Sequence, residues 1–105
     1  MISESRMEQA LRYLAETDEP VAEAKGDIQR LENLISRVKY RLFLSATGSV
    51  EVRKAEAGKS EETARLEEEL VSATVRYEGL RAKRDTESTV IEVWRSLESS
   101  RRKGG

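Results

Sequence analysis

Two apolar ladders, each stepping alternately by three and four residues, limit this chain more than any other feature. Val21, Ala24, Ile28, Leu31, Ile35, Val38 and Leu42 form the first, and Leu66, Leu70, Ala73, Tyr77 and Leu80 form the second. Such stepping gives a helix one narrow apolar stripe, the seam of a coiled coil. Between the ladders lies "TGSVEVRKAEAGKS", with a glycine near each end. Helices joined by so local a connection pack antiparallel, as a hairpin. Partners across an antiparallel seam then have residue numbers with a nearly constant sum. Val38 with Leu66, Ile35 with Leu70, Leu31 with Ala73, Ile28 with Tyr77 and Ala24 with Leu80 all add to 104 or 105. The same rule pairs Leu14 with Ile91, Leu11 with Trp94 and Met7 with Leu97 toward the chain ends.

The expected fold is therefore all-α: a long, coiled-coil-like antiparallel helical hairpin forming a single domain. Its first arm covers 3–46, a connection 47–59, the second arm 60–100 and a basic tail 101–105. The polar stretches "TDEP" and "RDTEST" face each other in this register. Thr17 or Asp18 reads as an N-cap there, with Pro20 in the first turn of a new helix, so the first arm is expected to break near residues 17–20. Within the connection, "SVEVRKAEA" is expected to form a short helix capped by Ser49.

Charge patterning supports the register. Arg37, Lys39 and Arg41 lie level with Glu61, Glu62, Glu67, Glu68 and Glu69, while Glu19, Glu23 and Asp27 lie level with Arg76, Arg81, Lys83 and Arg84. Exposed pairs of this kind contribute only a few tenths of a kcal/mol, so they select direction rather than hold the arms together.

The segment "AEAGKSEETA" contains the Gly-Lys-Ser that ends a phosphate-binding loop. That loop needs a second glycine five positions earlier, where Arg53 stands, and an apolar strand before it, where the chain is charged. Gly58 reads instead as the end of one helical piece and Ser60 as an N-cap, followed by acidic Glu61 and Glu62 in the first turn.

Composition narrows the chemistry. The chain has no Cys and no His, which removes disulfides, Cys/His zinc sites, thiol nucleophiles and imidazole catalysis. The consecutive Glu67, Glu68 and Glu69 point some 100° apart on a helix and cannot converge on one metal. No enzymatic activity, metal, cofactor or small-molecule substrate is expected. Nineteen Lys and Arg balance twenty Asp and Glu, so no bulk field draws the molecule onto nucleic acid or membrane. No apolar run approaches the roughly 18 residues of a spanning helix, and "MISESRMEQ" lacks the order of a signal peptide. A cytoplasmic location without membrane contact is expected.

Residues outside the seam, together with the segment "VIEVWRSL" that is apolar on more than one side, carry the functional candidates. Leu34, Val71, Val75, Val90, Val93 and Trp94 are expected to form an oligomer or partner interface, because a two-helix hairpin has little core of its own. Arg37, Lys39, Tyr40 and Arg41, with Arg101, Arg102 and Lys103 of the tail, combine cations with a ring in the manner of a single-stranded nucleic-acid surface. The plainer reading is that these cations answer the glutamates opposite, while Phe43 and Leu44 pack under Val50 and Val52. For the tail, a favourable helix-terminal charge is the plainer alternative.

The stretches "KYRLFLSATGSVEVRKAEA" and "VIEVWRSLESSRRKG" resemble segments of a family of small, strongly helical bacteriophage and prophage proteins from the phage replication–recombination region. The resemblance runs from about residue 13 to residue 104. It is carried best by Gly48 and Ser49 after "RLFL" and by Glu92, Val93, Trp94 and Arg95. No catalytic or ligand motif comes with it. It implies a phage protein in the host cytoplasm with an accessory role beside single-strand binding or annealing proteins. Two functions stand open: an oligomeric single-stranded DNA-binding accessory to replication or recombination, or a helical adaptor or inhibitor that docks a host or phage protein without touching nucleic acid.

Overall fold

The computed structural model describes residues 1–104. Three helices follow in order, with no strand among the described residues: α1 (Glu4–Ser45), α2 (Val50–Lys59) and α3 (Glu61–Gly104). The chain is a long helical hairpin, α1 and α3 being its arms and α2 its connection. Local chemistry sets the helix ends. Ser3 Oγ accepts from Arg6 N at 3.0 Å and starts α1. Gly48 takes a positive φ of 109°, a conformation that favours glycine, and turns the chain into α2. Ser49 caps α2 by accepting from Val52 N at 3.2 Å. Ser60, in extended conformation, ends α2 and caps α3, its Oγ accepting from Thr63 N at 3.0 Å. The Ser60 hydroxyl donates to Thr63 Oγ1, which in turn donates to the Ala57 carbonyl. Thr63 is fully buried, and this relay fixes the step from α2 to α3. The Gly-Lys-Ser is thus helix punctuation, although α2 runs past Gly58 to Lys59.

The arms divide into two compact units, Glu23–Arg76 and Met1–Ala22 with the chain from Tyr77 onward. In the first, Ile35, Val38 and Leu66 are buried, with Leu31, Leu42 and Leu70 packed against them. This is the expected seam. In the second, Met7, Ala10 and Ile91 form the buried cluster, joined by Leu14, Val90 and Trp94. Leu14 and Ile91 meet as expected, but Leu11 and Leu97 are exposed. Ala10 takes the inner position expected of Leu11, which lies one residue, or 100°, around the helix.

The expected break at residues 17–20 is overturned. α1 is one continuous helix with Pro20 inside it. Proline removes one backbone donor but leaves helical φ intact, so a helix held from outside can continue through it. The hold comes from Arg84 on α3. Its Nη1 donates to the Leu14 carbonyl (2.8 Å) and Thr17 Oγ1 (2.6 Å), and its Nη2 donates to Asp18 Oδ1 (2.7 Å). Thr17, expected to cap a new helix, instead donates its hydroxyl back to the Tyr13 carbonyl at 2.7 Å.

α3 likewise continues past the expected end of the second arm. Arg101, Arg102 and Lys103 form its last turn rather than a separate tail, and their charge suits the negative end of the helix dipole. Gly105, the last residue of that expected tail, lies outside the described residues.

Candidate interaction surfaces

The cationic residues of the expected nucleic-acid surface fall in both units. Arg37, Lys39, Tyr40 and Arg41 belong to the Glu23–Arg76 unit, and Arg101, Arg102 and Lys103 to the other. Arg41 Nη2 lies 2.7 Å from Glu62 Oε2, Lys39 Nζ 3.6 Å from Glu67 Oε1, and Arg101 Nη2 2.7 Å from Glu98 Oε2. The glutamates opposite therefore answer Arg41 and Lys39, as charge patterning suggests. Arg37, Arg102 and Lys103 are exposed and form no ion pair among the described residues. Tyr40 is 65% exposed.

The expected apolar interface separates into two groups. Leu34, Val71, Val75 and Val93 are exposed on the helix surfaces. Val90 and Trp94 are not part of an outer stripe, because both pack against the Met7, Ala10 and Ile91 cluster inside their own unit. A helix whose stripe wanders across two adjacent positions, Val90 and Ile91, brings both toward its partner, which an ideal seven-residue repeat does not anticipate. Val71 and Val75 stand four residues apart, one turn of α3, and are 56% and 67% exposed.

A groove that sequence reasoning missed lies between α1 and α2. It has a volume of about 460 Å³ and is lined by Lys39, Tyr40, Phe43, Lys54, Ala57 and Gly58. Arg53 of α2 stacks on the Phe43 ring at 4.4 Å from its centroid, and its Nε donates to the Phe43 carbonyl at 3.1 Å. These two contacts anchor α2 to α1 in place of the expected packing of Phe43 and Leu44 under Val50 and Val52. Leu44, Val50 and Val52 are all exposed. The signal available in the sequence was Arg53 itself, a cation set one helix away from an aromatic ring, with small Ala57 and Gly58 one turn further on.

Among the described residues no group of three or more acidic side chains is placed to hold a metal, and no helix is long and apolar enough to cross a membrane. Among the described residues no buried side-chain polar atom lacks a hydrogen-bond partner. No family model, curated protein or solved structure matches this chain.

Proposed function

We propose that this chain is a non-enzymatic helical interaction module that works by docking other proteins, in a phage or prophage setting. One contrast supports it best: Val71 and Val75 stand uncovered on α3, while Lys39, Arg41 and Arg101 of the nucleic-acid reading are already bonded to glutamates. Exposed valines one turn apart give a partner helix an apolar seat at helical spacing. A phosphate track, by contrast, needs several free cations, because each neutralised phosphate adds one salt-dependent increment of binding.

The second reading, single-stranded DNA binding, draws its support from Tyr40, exposed beside the unpaired Arg37. Fluorescence anisotropy against labelled single-stranded DNA at low and moderate salt decides between the two. The expected result is no binding at either salt. Salt-sensitive binding lost on joint Arg37→Glu and Arg41→Glu substitution would instead establish the DNA reading. The docking reading further requires that proteins captured by the wild type be lost on joint Val71→Lys and Val75→Lys substitution.

A further inference from the structure

The groove between α1 and α2 shares no residue with the apolar seam or with the Val71 and Val75 pair. One turn of each helix lines it, Lys39, Tyr40 and Phe43 on α1 and Lys54, Ala57 and Gly58 on α2. Both sets contain the three- and four-residue steps of a helix face, so a third helix can lay a ridge of side chains between them. Among the described residues there is no strand edge to take up an extended peptide.

The walls are built and the floor is bare. Arg53 fixes the Phe43 ring by stacking on it and by bonding the Phe43 carbonyl. Gly58 is helical and lacks the positive φ that would require a glycine. A Cβ there would meet no other side chain or helix within 4 Å among the described residues, its chain neighbours apart. Glycine is the poorest helix former after proline, so α2 gains nothing from it at this position. An incoming side chain gains depth. Charge adds a preference. Lys54 has no ion-pair partner among the described residues, and Arg53 rests on the ring without a carboxylate. Lys39 is already held by Glu67 and does not count toward this balance.

We infer that the groove receives an acidic amphipathic helix of another protein. A bulky apolar side chain of that helix fills the space over Gly58, between Tyr40 and Phe43, and its carboxylates meet Lys54. Apolar walls with a cationic rim fit this chemistry, the apolar anchor giving affinity and the charge giving orientation. A nucleic-acid strand suits the groove less, because a phosphate track needs several free cations in a row. The inference goes beyond the valine pair and names a second docking surface with its own partner class.

The test uses the full-length chain and a fluorescein-labelled helical peptide of about 15 residues, with leucines at i, i+3, i+4 and i+7 flanked by glutamates. Two control peptides replace the leucines by serine or the glutamates by lysine. Fluorescence anisotropy should show saturable, salt-weakened binding of the acidic leucine peptide and none of either control. Gly58→Leu places a strong helix former in α2 and fills the groove. It should cut affinity at least ~30-fold while circular dichroism reports helicity unchanged or higher. Tyr40→Ala is expected to weaken binding about tenfold and Lys54→Glu about fivefold at low salt. Failure of the acidic peptide to bind overturns the inference, as does binding that Gly58→Leu leaves unchanged or that the lysine peptide equals. A dimer seen by light scattering and abolished by Gly58→Leu would overturn it in favour of a second copy. Single-stranded DNA binding abolished by Gly58→Leu would overturn it in favour of nucleic acid. The peptide results leave the valine pair untouched, because that reading is decided by joint substitution of Val71 and Val75, which leaves the groove intact.

Discussion

The Glu23–Arg76 unit closes on an apolar seam, Ile35, Val38 and Leu66 with three leucines against them, and adds a third helix on top. The unit built from Met1–Ala22 and the chain from Tyr77 onward has a comparable cluster around Met7, Ala10 and Ile91, but supplements it with polar ties between the arms. Arg84 bonds a carbonyl, a hydroxyl and a carboxylate of α1 at once. Arg6 meets Glu87, only 8% exposed, at 2.5 Å, and Lys83 sits over the Tyr13 ring at 4.5 Å. Where the apolar ladder lapses, long cationic side chains with apolar stems bridge the arms. Arginine suits the role because its planar fork reaches several acceptors in one geometry. The two regions thus show a hairpin held by area at one place and by directed hydrogen bonds at another.

The contrast implies that different substitutions should damage the two units. The largest expected effect is Leu66→Ala, which should cost about 3 kcal/mol by opening a cavity in the apolar seam. Urea unfolding followed by circular dichroism measures it, and a loss below about 1 kcal/mol would mean that the seam is not the main hold. Next comes Pro20→Ala, which restores a backbone donor inside a helix that is already continuous. It should stabilise the chain by about 1–2 kcal/mol, seen as a higher unfolding midpoint. No gain would show that the helix has lost nothing to its proline. Arg84→Met keeps the stem and removes the fork, and should cost about 1–2 kcal/mol. Hydrogen exchange should place the loss around Leu14 to Asp18, and a loss localised instead at Ile35 would contradict the separation into units. Ser49→Ala should cost about 1 kcal/mol and fray α2 alone. Arg41→Ala, breaking an exposed pair with Glu62, should change stability by only about 0.5 kcal/mol, less at high salt.

The hairpin, its connection and its cap residues were legible because each depends on local periodicity or local side-chain chemistry. Ser49 and Ser60 do what their residue types suggest, and Ile35, Val38, Leu66 and Leu70 pack as their spacing demands. The break at Pro20 was misread because a capping sequence and a proline are also local signals, and the contact that overrides them, Arg84, comes from residues far along the chain. An ideal repeat places Val90 outside for a similar reason: it fixes which positions face inward, but the arms drift from it near the ends. Trp94 packs inward as its seam pairing requires, and not at the outer interface. The groove was illegible because it exists only once Arg53 has drawn α2 against Phe43.

By itself, then, the sequence determined that the chain is helical, that it doubles back between residues 46 and 60, and which stripe lines the middle of the seam. Those properties follow from periods of three and four residues and from side chains acting on their own backbone neighbours. Tertiary structure alone decided that α1 passes unbroken through Pro20, which apolar residues stay uncovered, and that a lysine-edged groove forms between α1 and α2. Each of these turns on a long side chain from one helix reaching another, and reach of that kind depends on three-dimensional register that no local pattern encodes.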